Sequence, residues 1–410
     1  MARLRMSLVQ VCCVAFTSLL LACTLCVEAL INTACSSITA TDTNIRADNV
    51  LLMATSNVGS NNDERVSVSQ QRREFFRSIS SPFAVSLYSS STPIVAVAAS
   101  AQDVTGEKVT VPLEWNEKIQ GYLVCYRIDG DLFRAVVDTG SPFLTIPGTC
   151  DPTTKFKWGC YRNEGVPSGL KNTFEQFDGV EGEVEWRTAQ FTFANATGSM
   201  IGPPKMIFGV LSPRLQGLSG GVFFGLVRDT DSWIRPSFLG QTVVEAFNID
   251  LASAEKSLTL STTPLIGRDD DYIQLVNDLR RRYGDPTLHY TAKVKKLTVN
   301  GSPLAASDGK PIFAIIDTGV TGMIVSREIF DERYISARAQ KERKMWNDVV
   351  VSFNTARGKA VTLTADAPLT TPFGGKPWKN FDAHLIVLGL SFLEGNNLTI
   401  DISTDRLRIN

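Results

Sequence analysis

The sequence predicts an all-β protein whose folded body is made of two related halves, and two observations carry that prediction. From about residue 107 the chain is a series of short β-branched and aromatic runs cut by Gly, Pro and Asn: "KVTVPLEW", "GYLVCYRID", "FRAVVD", "EGEVEW", "AQFTF", "MIFGVL" and "GGVFFGLV". Runs of this length and spacing indicate a barrel or sandwich architecture. The second observation is internal similarity: "FRAVVDTGSPFLTIP" at 133–147 returns as "FAIIDTGVTGMIVS" at 313–326. From average residue usage, a chain of this length holds a given Asp-Thr-Gly by chance about once in ten cases. Two copies, each after the same apolar approach, mark a duplication.

Before the body stand three address-like segments. Residues 1–29, "MARLRMSLVQVCCVAFTSLLLACTLCVEA", have two arginines, an apolar core and Val27-Glu28-Ala29 as a cleavage candidate, which reads as a signal peptide with an uncleaved anchor as the alternative. Residues 30–70 turn to Ser, Thr, Asn and Ala and read as a disordered, transit-like linker. Residues 71–101 carry Arg72-Arg73, Phe75-Phe76 and a final Ala99-Ser100-Ala101, a twin-arginine-type signal or a propeptide. That order resembles the tripartite address of a thylakoid-lumen protein in an alga with a complex plastid. Secretion or vacuolar delivery is the alternative, and three N-x-[ST] sites at Asn195, Asn300 and Asn397 would carry glycans only on such a route.

The body is read as a first half over 102–250 and a second over 251–410, joined around "NIDLASAEKSLTLSTTPL". The whole chain has 41 Lys+Arg against 42 Asp+Glu. Seven and six of these precede residue 102, so the body carries 34 positive and 36 negative side chains. So even a balance points to no nucleic acid and to no membrane surface for the mature form. Only two histidines are present, His289 and His384, both read as structural, a scarcity that rules out most chemistry built on a His triad or a His-rich metal site. No cofactor or metal is expected.

Of eight cysteines, five lie in the first 35 residues, leaving Cys125, Cys150 and Cys160. Cys125 falls in an alternating strand and reads as a buried apolar residue. Cys150 and Cys160 bracket "CDPTTKFKWGC" and can close a disulfide in an oxidising compartment. Two free thiols are the alternative, since spacing does not fix connectivity. Helices are expected to be few, with 271–284 and 326–346 the best candidates, the latter with Ser326 as N-cap.

Each Asp-Thr-Gly is followed, tens of residues later, by two apolar residues and a glycine: Phe223-Phe224-Gly225 and Val387-Leu388-Gly389. A duplication of this period usually packs with two-fold symmetry, which brings Asp138 and Asp317 together. Two carboxyl groups about 3 Å apart cannot both ionise; they share one proton, so that one pKa falls and the other rises, as in the aspartic-protease dyad. One group then serves as base toward a water while the protonated one polarises a carbonyl. Gly140 and Gly319 let the backbone turn and bring amides close. Thr139 and Thr318 can cross-link the loops, and Ser141 can donate to Asp138.

On these motifs the body resembles a pepsin-like aspartic protease of peptidase family A1, over nearly all of 107–410. "VVDTGSPFLTIPGTC" and "AIIDTGVTGMIV" are similar to the two active-site strands, and "GVFFGL" and "IVLGLSFLEGNNLTIDISTDRLRI" to the segments that complete each lobe. The resemblance implies a bilobal β fold of two barrel-like lobes with a cleft for an extended polypeptide. It implies a monomeric endopeptidase preferring apolar residues around the cut, the alternative being a weak or silent peptide-binding or inhibitory relative.

Three positions depart from the family pattern. Val320 stands where the second motif usually has Thr or Ser, which predicts a pH optimum nearer neutral. The flap hairpin, usually with a Tyr before its Gly-rich turn, is matched by "TFEQFDGVEGEVEW", with Phe177 before Asp178 and Gly179. Thr145 replaces the Trp that bonds to that Tyr, so both partners are lost together and no donor is stranded. Phe143, Trp186 and Phe223 could line apolar subsites, but core packing is the commoner fate of such residues.

Overall fold

The computed structural model describes residues 107–148, 158–159, 161–162, 165–177, 180–198, 205–212, 222–229, 236–285, 287–304, 309–333, 346–373 and 381–410. The address segments, Cys150, Cys160, Asp178 and Gly179 lie outside them.

The fold is all-β, and its centre is a sheet to which both halves contribute. In spatial order its strands are Ile273–Gln274, Arg406–Ile409, Asn397–Asp401, Ala246–Asp250, Ser257–Ser261 and Lys108–Asn116, all antiparallel. The middle pair runs Ala246 opposite Asp401 to Asp250 opposite Asn397, so "AFNID" meets "NLTID". The stretch expected to join the halves is therefore a hairpin inside the sheet. Alternation explains it: Phe247, Ile249, Leu258 and Leu260 are fully buried while the residues between them are partly exposed.

Lys108–Asn116 serves two sheets. Its first residues, Lys108–Pro112, pair with Ser257–Ser261, and Leu113–Asn116 then pair with Gly121–Val124 of the first half. From there Gly121–Ile128 runs antiparallel to Asp131–Asp138, and "EGEVEW" and "AQFTF" form one strand, Val180–Phe193. Phe191, Phe224, Phe238 and Tyr126 fill the interior, the Phe224 and Phe238 rings 4.7 Å apart.

The second half repeats the first. In each, the strand that ends in the acid (Asp131–Asp138; Ile312–Ile316 before Asp317) pairs antiparallel with a long strand that comes before it in sequence, Gly121–Ile128 or Thr291–Val299. In each it also pairs in parallel with the glycine-ended run, Phe223–Gly225 or His384–Leu388. The apolar residues after each Asp-Thr-Gly, Thr145–Pro147 and Met323–Val325, pair in parallel again, with Lys205–Leu211 and Thr370–Pro372.

The expected helix at 271–284 is helical only over Asp278–Tyr283, closed by Gly284 in the left-handed region. Ahead of it Ile273 and Leu275 are buried on either side of exposed Gln274, a two-residue period that joins the sheet edge. The second helix begins as expected, at Arg327–Arg333. Ser326, however, does not use its hydroxyl as a helix cap: Oγ accepts the Leu385 amide at 2.7 Å and donates to the Leu385 carbonyl at 3.1 Å. The strand Met323–Val325 pairs with His384–Leu388, and Ser326 extends that ladder by one residue. No helix among the described residues is long and apolar enough to cross a membrane.

Candidate active site

Both acid strands are buried on both faces, which is why they read as unbroken apolar runs: Ala135, Val136, Val137, Ala314, Ile315 and Ile316 are at most 1 % exposed. The parallel partner ends in glycine for a steric reason. A Cβ at Gly225 would lie 2.4 Å from the Ser141 carbonyl oxygen, and one at Gly389 would lie 2.2 Å from that of Val320. Each glycine thus lets its strand lie directly under the turn that carries the acid. Amide bonds fasten the two together: Gly225 donates to Phe143 O at 2.6 Å, and Gly389 to Gly322 O at 2.9 Å.

Within each turn the glycine amide donates to the carboxylate two residues earlier: Gly140 to Asp138 Oδ1 and Gly319 to Asp317 Oδ1, both 2.8 Å. Across the halves the threonines interlock. The Thr318 amide donates to Thr139 Oγ1 at 3.0 Å and the Thr139 amide to Thr318 Oγ1 at 3.2 Å. The two hydroxyls donate onward to Ile316 O and Val137 O, both at 2.8 Å. These four bonds relate the turns by an approximate two-fold axis.

The axis brings the acids into one place. A Cβ on Gly140 would sit 2.4 Å from Asp317 Oδ2, and one on Gly319 would sit 2.4 Å from Asp138 Oδ1. Each carboxylate therefore lies against the glycine of the opposite turn. Asp138 and Asp317 are 5 % and 4 % exposed, so both are buried with a small part still accessible.

Symmetry ends at the next residue. Ser141 Oγ donates to Asp138 Oδ2 at 2.7 Å. Val320, its counterpart, has no hydroxyl to offer and packs with Ile315, Ile324 and Phe373 in a smaller apolar cluster.

Asp138, Asp317, Thr139, Thr318, Gly140, Gly319 and Ser141 are thus brought together as the sequence predicts. Phe177 ends the strand Thr173–Phe177, opposite Val180 at the tip of a hairpin. Phe143, Trp186 and Phe223 are at most 8 % exposed and belong to the main core, with Trp186 Nε1 donating to Thr173 Oγ1 at 3.0 Å. Thr145 is a backbone anchor, its hydroxyl accepting the Phe223 amide at 3.3 Å. Cys125 is buried, as expected, and its Sγ donates to Glu114 at 3.7 Å. Among the described residues no cluster of three His, Cys, Asp or Glu side chains could hold a metal ion.

Two features beside the site carry no signal in the motifs. Tyr122 and Tyr290 hold equivalent places, since Leu123 faces Val136 and Thr291 faces Ile315, and each hydroxyl crosses to the other half. Their shared position, one residue ahead of the residue that faces the second place before each acid, is the sequence signal that could have found them. The other is a cluster of titratable side chains, Asp229, Asp285 and His289 buried and Arg280 half-buried. Arg280 contacts Asp229 at 3.2 Å, and His289 Nε2 lies 3.6 Å from Asp285 Oδ2. The Leu288 amide donates to Asp229 and the Thr287 amide to Asp285. Burial pushes the Asp285 carboxyl up, with His289 and the Thr287 amide pulling only partly back. Burial likewise pushes Asp229 up against the pull of Arg280.

No protein-family model matches the chain, and no curated protein matches it.

Proposed function

We propose that this chain is an aspartic endopeptidase of the pepsin-like, bilobal kind. The observation that carries the reading is the threonine interlock, which sets Asp138 and Asp317 against each other's glycine about one axis. A water held between the two carboxyls gives a proton to the ionised one while its oxygen attacks the scissile carbonyl carbon. The protonated carboxyl donates to the carbonyl oxygen, and collapse of the tetrahedral diol returns a proton to the leaving amine. A monomer with no cofactor suffices, and the substrate is an extended polypeptide with apolar residues around the cut.

The testing experiment is cleavage of an unfolded protein, blocked by a statine-type transition-state mimic and lost in Asp138→Asn. Continued turnover in Asp317→Asn would overturn the two-aspartate mechanism. The buried, hydroxyl-free Val320 favours a second reading, a weak or silent relative that binds peptides or inhibits other proteins. Mimic binding without any cleavage selects it.

The address segments support delivery to a thylakoid lumen, with secretion or a vacuolar route as the alternative. Sequencing the mature N-terminus decides: a start near Gln102 supports the lumen, and a start near residue 30 with glycan on Asn195 supports secretion.

A further inference from the structure

Four hydrogen bonds beside the site form a closed circuit. The Leu226 amide donates to the carbonyl of Asp138 at 2.7 Å, and Tyr290 Oη donates to the carbonyl of Leu226 at 2.6 Å. The Ile316 amide donates to the carbonyl of Tyr290 at 3.1 Å, and Thr139 Oγ1 donates to the carbonyl of Ile316 at 2.8 Å. Thr139 follows Asp138 and Ile316 precedes Asp317, so the ring passes through both acid turns. Leu226, Ile316 and Thr139 are fully buried, and Asp138 and Tyr290 are 5 % exposed.

Only one link in this ring is a side chain that neither motif contains. We propose that Tyr290 is a positioning residue for both acid turns: its hydroxyl, crossing from the second half to Leu226 in the first, fixes the backbone of Asp138 relative to that of Asp317. This rests on the protease reading for its catalytic consequence, but its structural content stands without it.

The surroundings fit that role. The Phe247 ring, from the centre of the shared sheet, stands edge-on to Tyr290 at 5.6 Å and 66° and restricts its swing. Burial pushes the Tyr290 hydroxyl up, so it stays protonated and remains a donor. The links between successive bonds are covalent, through Leu226, Tyr290, Ile316 and the Asp138-Thr139 peptide, so releasing the Tyr290 hydroxyl frees the backbone at Leu226 and Tyr290 to shift relative to both turns. The equivalent Tyr122 does not close such a ring. Its hydroxyl donates at 2.7 Å to Glu394, a carboxylate 47 % exposed that Lys256 also contacts. The pair is thus symmetric in place and asymmetric in effect.

The test compares wild type with Tyr290→Phe in the full chain, and with Tyr126→Phe as control. Tyr126 is fully buried and its hydroxyl has no hydrogen-bond partner among the described residues, so its loss removes an oxygen without opening the ring. Amide hydrogen–deuterium exchange is read over 136–141 and 314–319, and kcat and KM on an unfolded protein substrate. The expected result is faster exchange at both turns together and a kcat reduced about tenfold with KM within about twofold, in Tyr290→Phe only. Faster exchange confined to the segments around Leu226 or Tyr290, or none, overturns the proposal, as does an equal effect in Tyr126→Phe. If wild type cleaves nothing, the protease reading fails and exchange alone decides this one. Should Tyr290→Phe not fold, Thr139→Val opens the same ring at its far side. Faster exchange around 224–228 then supports the ring, and unchanged exchange there overturns it.

Discussion

Thr139 and Thr318 each accept the other's backbone amide at the side-chain hydroxyl, across the join between the halves. Neither acid turn is complete alone, because each lends an acceptor to the other and takes one back.

Replacing Thr318 by Val removes the acceptor of the Thr139 amide and the donor to Val137 O while keeping the side-chain shape. Buried groups left without partners cost about 1–3 kcal/mol each. The expected outcome is a melting temperature several degrees lower and a kcat reduced by one to two orders of magnitude. Thr318→Ser, which keeps the hydroxyl, should stay within a few-fold of wild type in both.

Ser141 donates to Asp138, whereas Val320 has no hydroxyl to donate to Asp317, which predicts opposite pH behaviour for two substitutions. A hydrogen bond to an ionised carboxylate favours that form. Val320→Thr should therefore extend activity toward acid pH, and Ser141→Ala should move the optimum toward neutral. Rate–pH profiles of kcat/KM check both, and identical profiles for wild type and Val320→Thr would remove the assigned role of Val320.

Asp229 and Asp285 predict a loss of stability as pH rises. Both carboxyls are pushed above their ordinary value of 3.8 in the fold, so the folded state holds a proton that the unfolded chain has released. Their contribution is complete below that ordinary value and declines as pH climbs through the raised one. Asp285→Asn, which cannot ionise, should flatten the decline in melting temperature as pH rises above the ordinary carboxyl value. An unchanged slope would show that this carboxyl does not titrate there.

The three N-x-[ST] sites are not equivalent. Asn195 and Asn300 are exposed and sit on turns with φ of 57° and 53°. Asn397 lies in the shared sheet, where Asn248 Nδ2 donates to its Oδ1, and Thr399 of the same site is 2 % exposed. Expressed through a glycosylating route, the protein should carry glycan at Asn195 and Asn300 and none at Asn397, as read by mass of the tryptic peptides.

Much of this site is legible in the sequence because its signals are local. A strand buried on both faces must be an apolar run, and a carboxylate cradled by the amide two residues on needs Asp-x-Gly. A glycine under a tight turn leaves its mark as two apolar residues and Gly. The same locality misleads elsewhere. Ile273 and Leu275 read as helical beside "NDLRRRYG", and only their partners across the sheet, Leu407 for Ile273 and Ala292 for Leu275, make them extended. Ser326 has the chemistry of a cap, and only the adjacent Leu385 backbone claims its hydroxyl.

The sequence by itself determined the all-β class, the duplication, and Asp138 and Asp317 with the residues of their turns. Only the tertiary structure decided that the joining stretch is a hairpin of a shared sheet, that Arg280 and His289 meet the buried carboxyls of Asp229 and Asp285, and that Tyr290 reaches Leu226. Local pattern fixes which residues must be buried and how the backbone turns. The partner of a buried hydroxyl or carboxylate is chosen by strands that meet in space, here 64 residues apart for Tyr290 and Leu226, and no short stretch of sequence holds both sides of that choice.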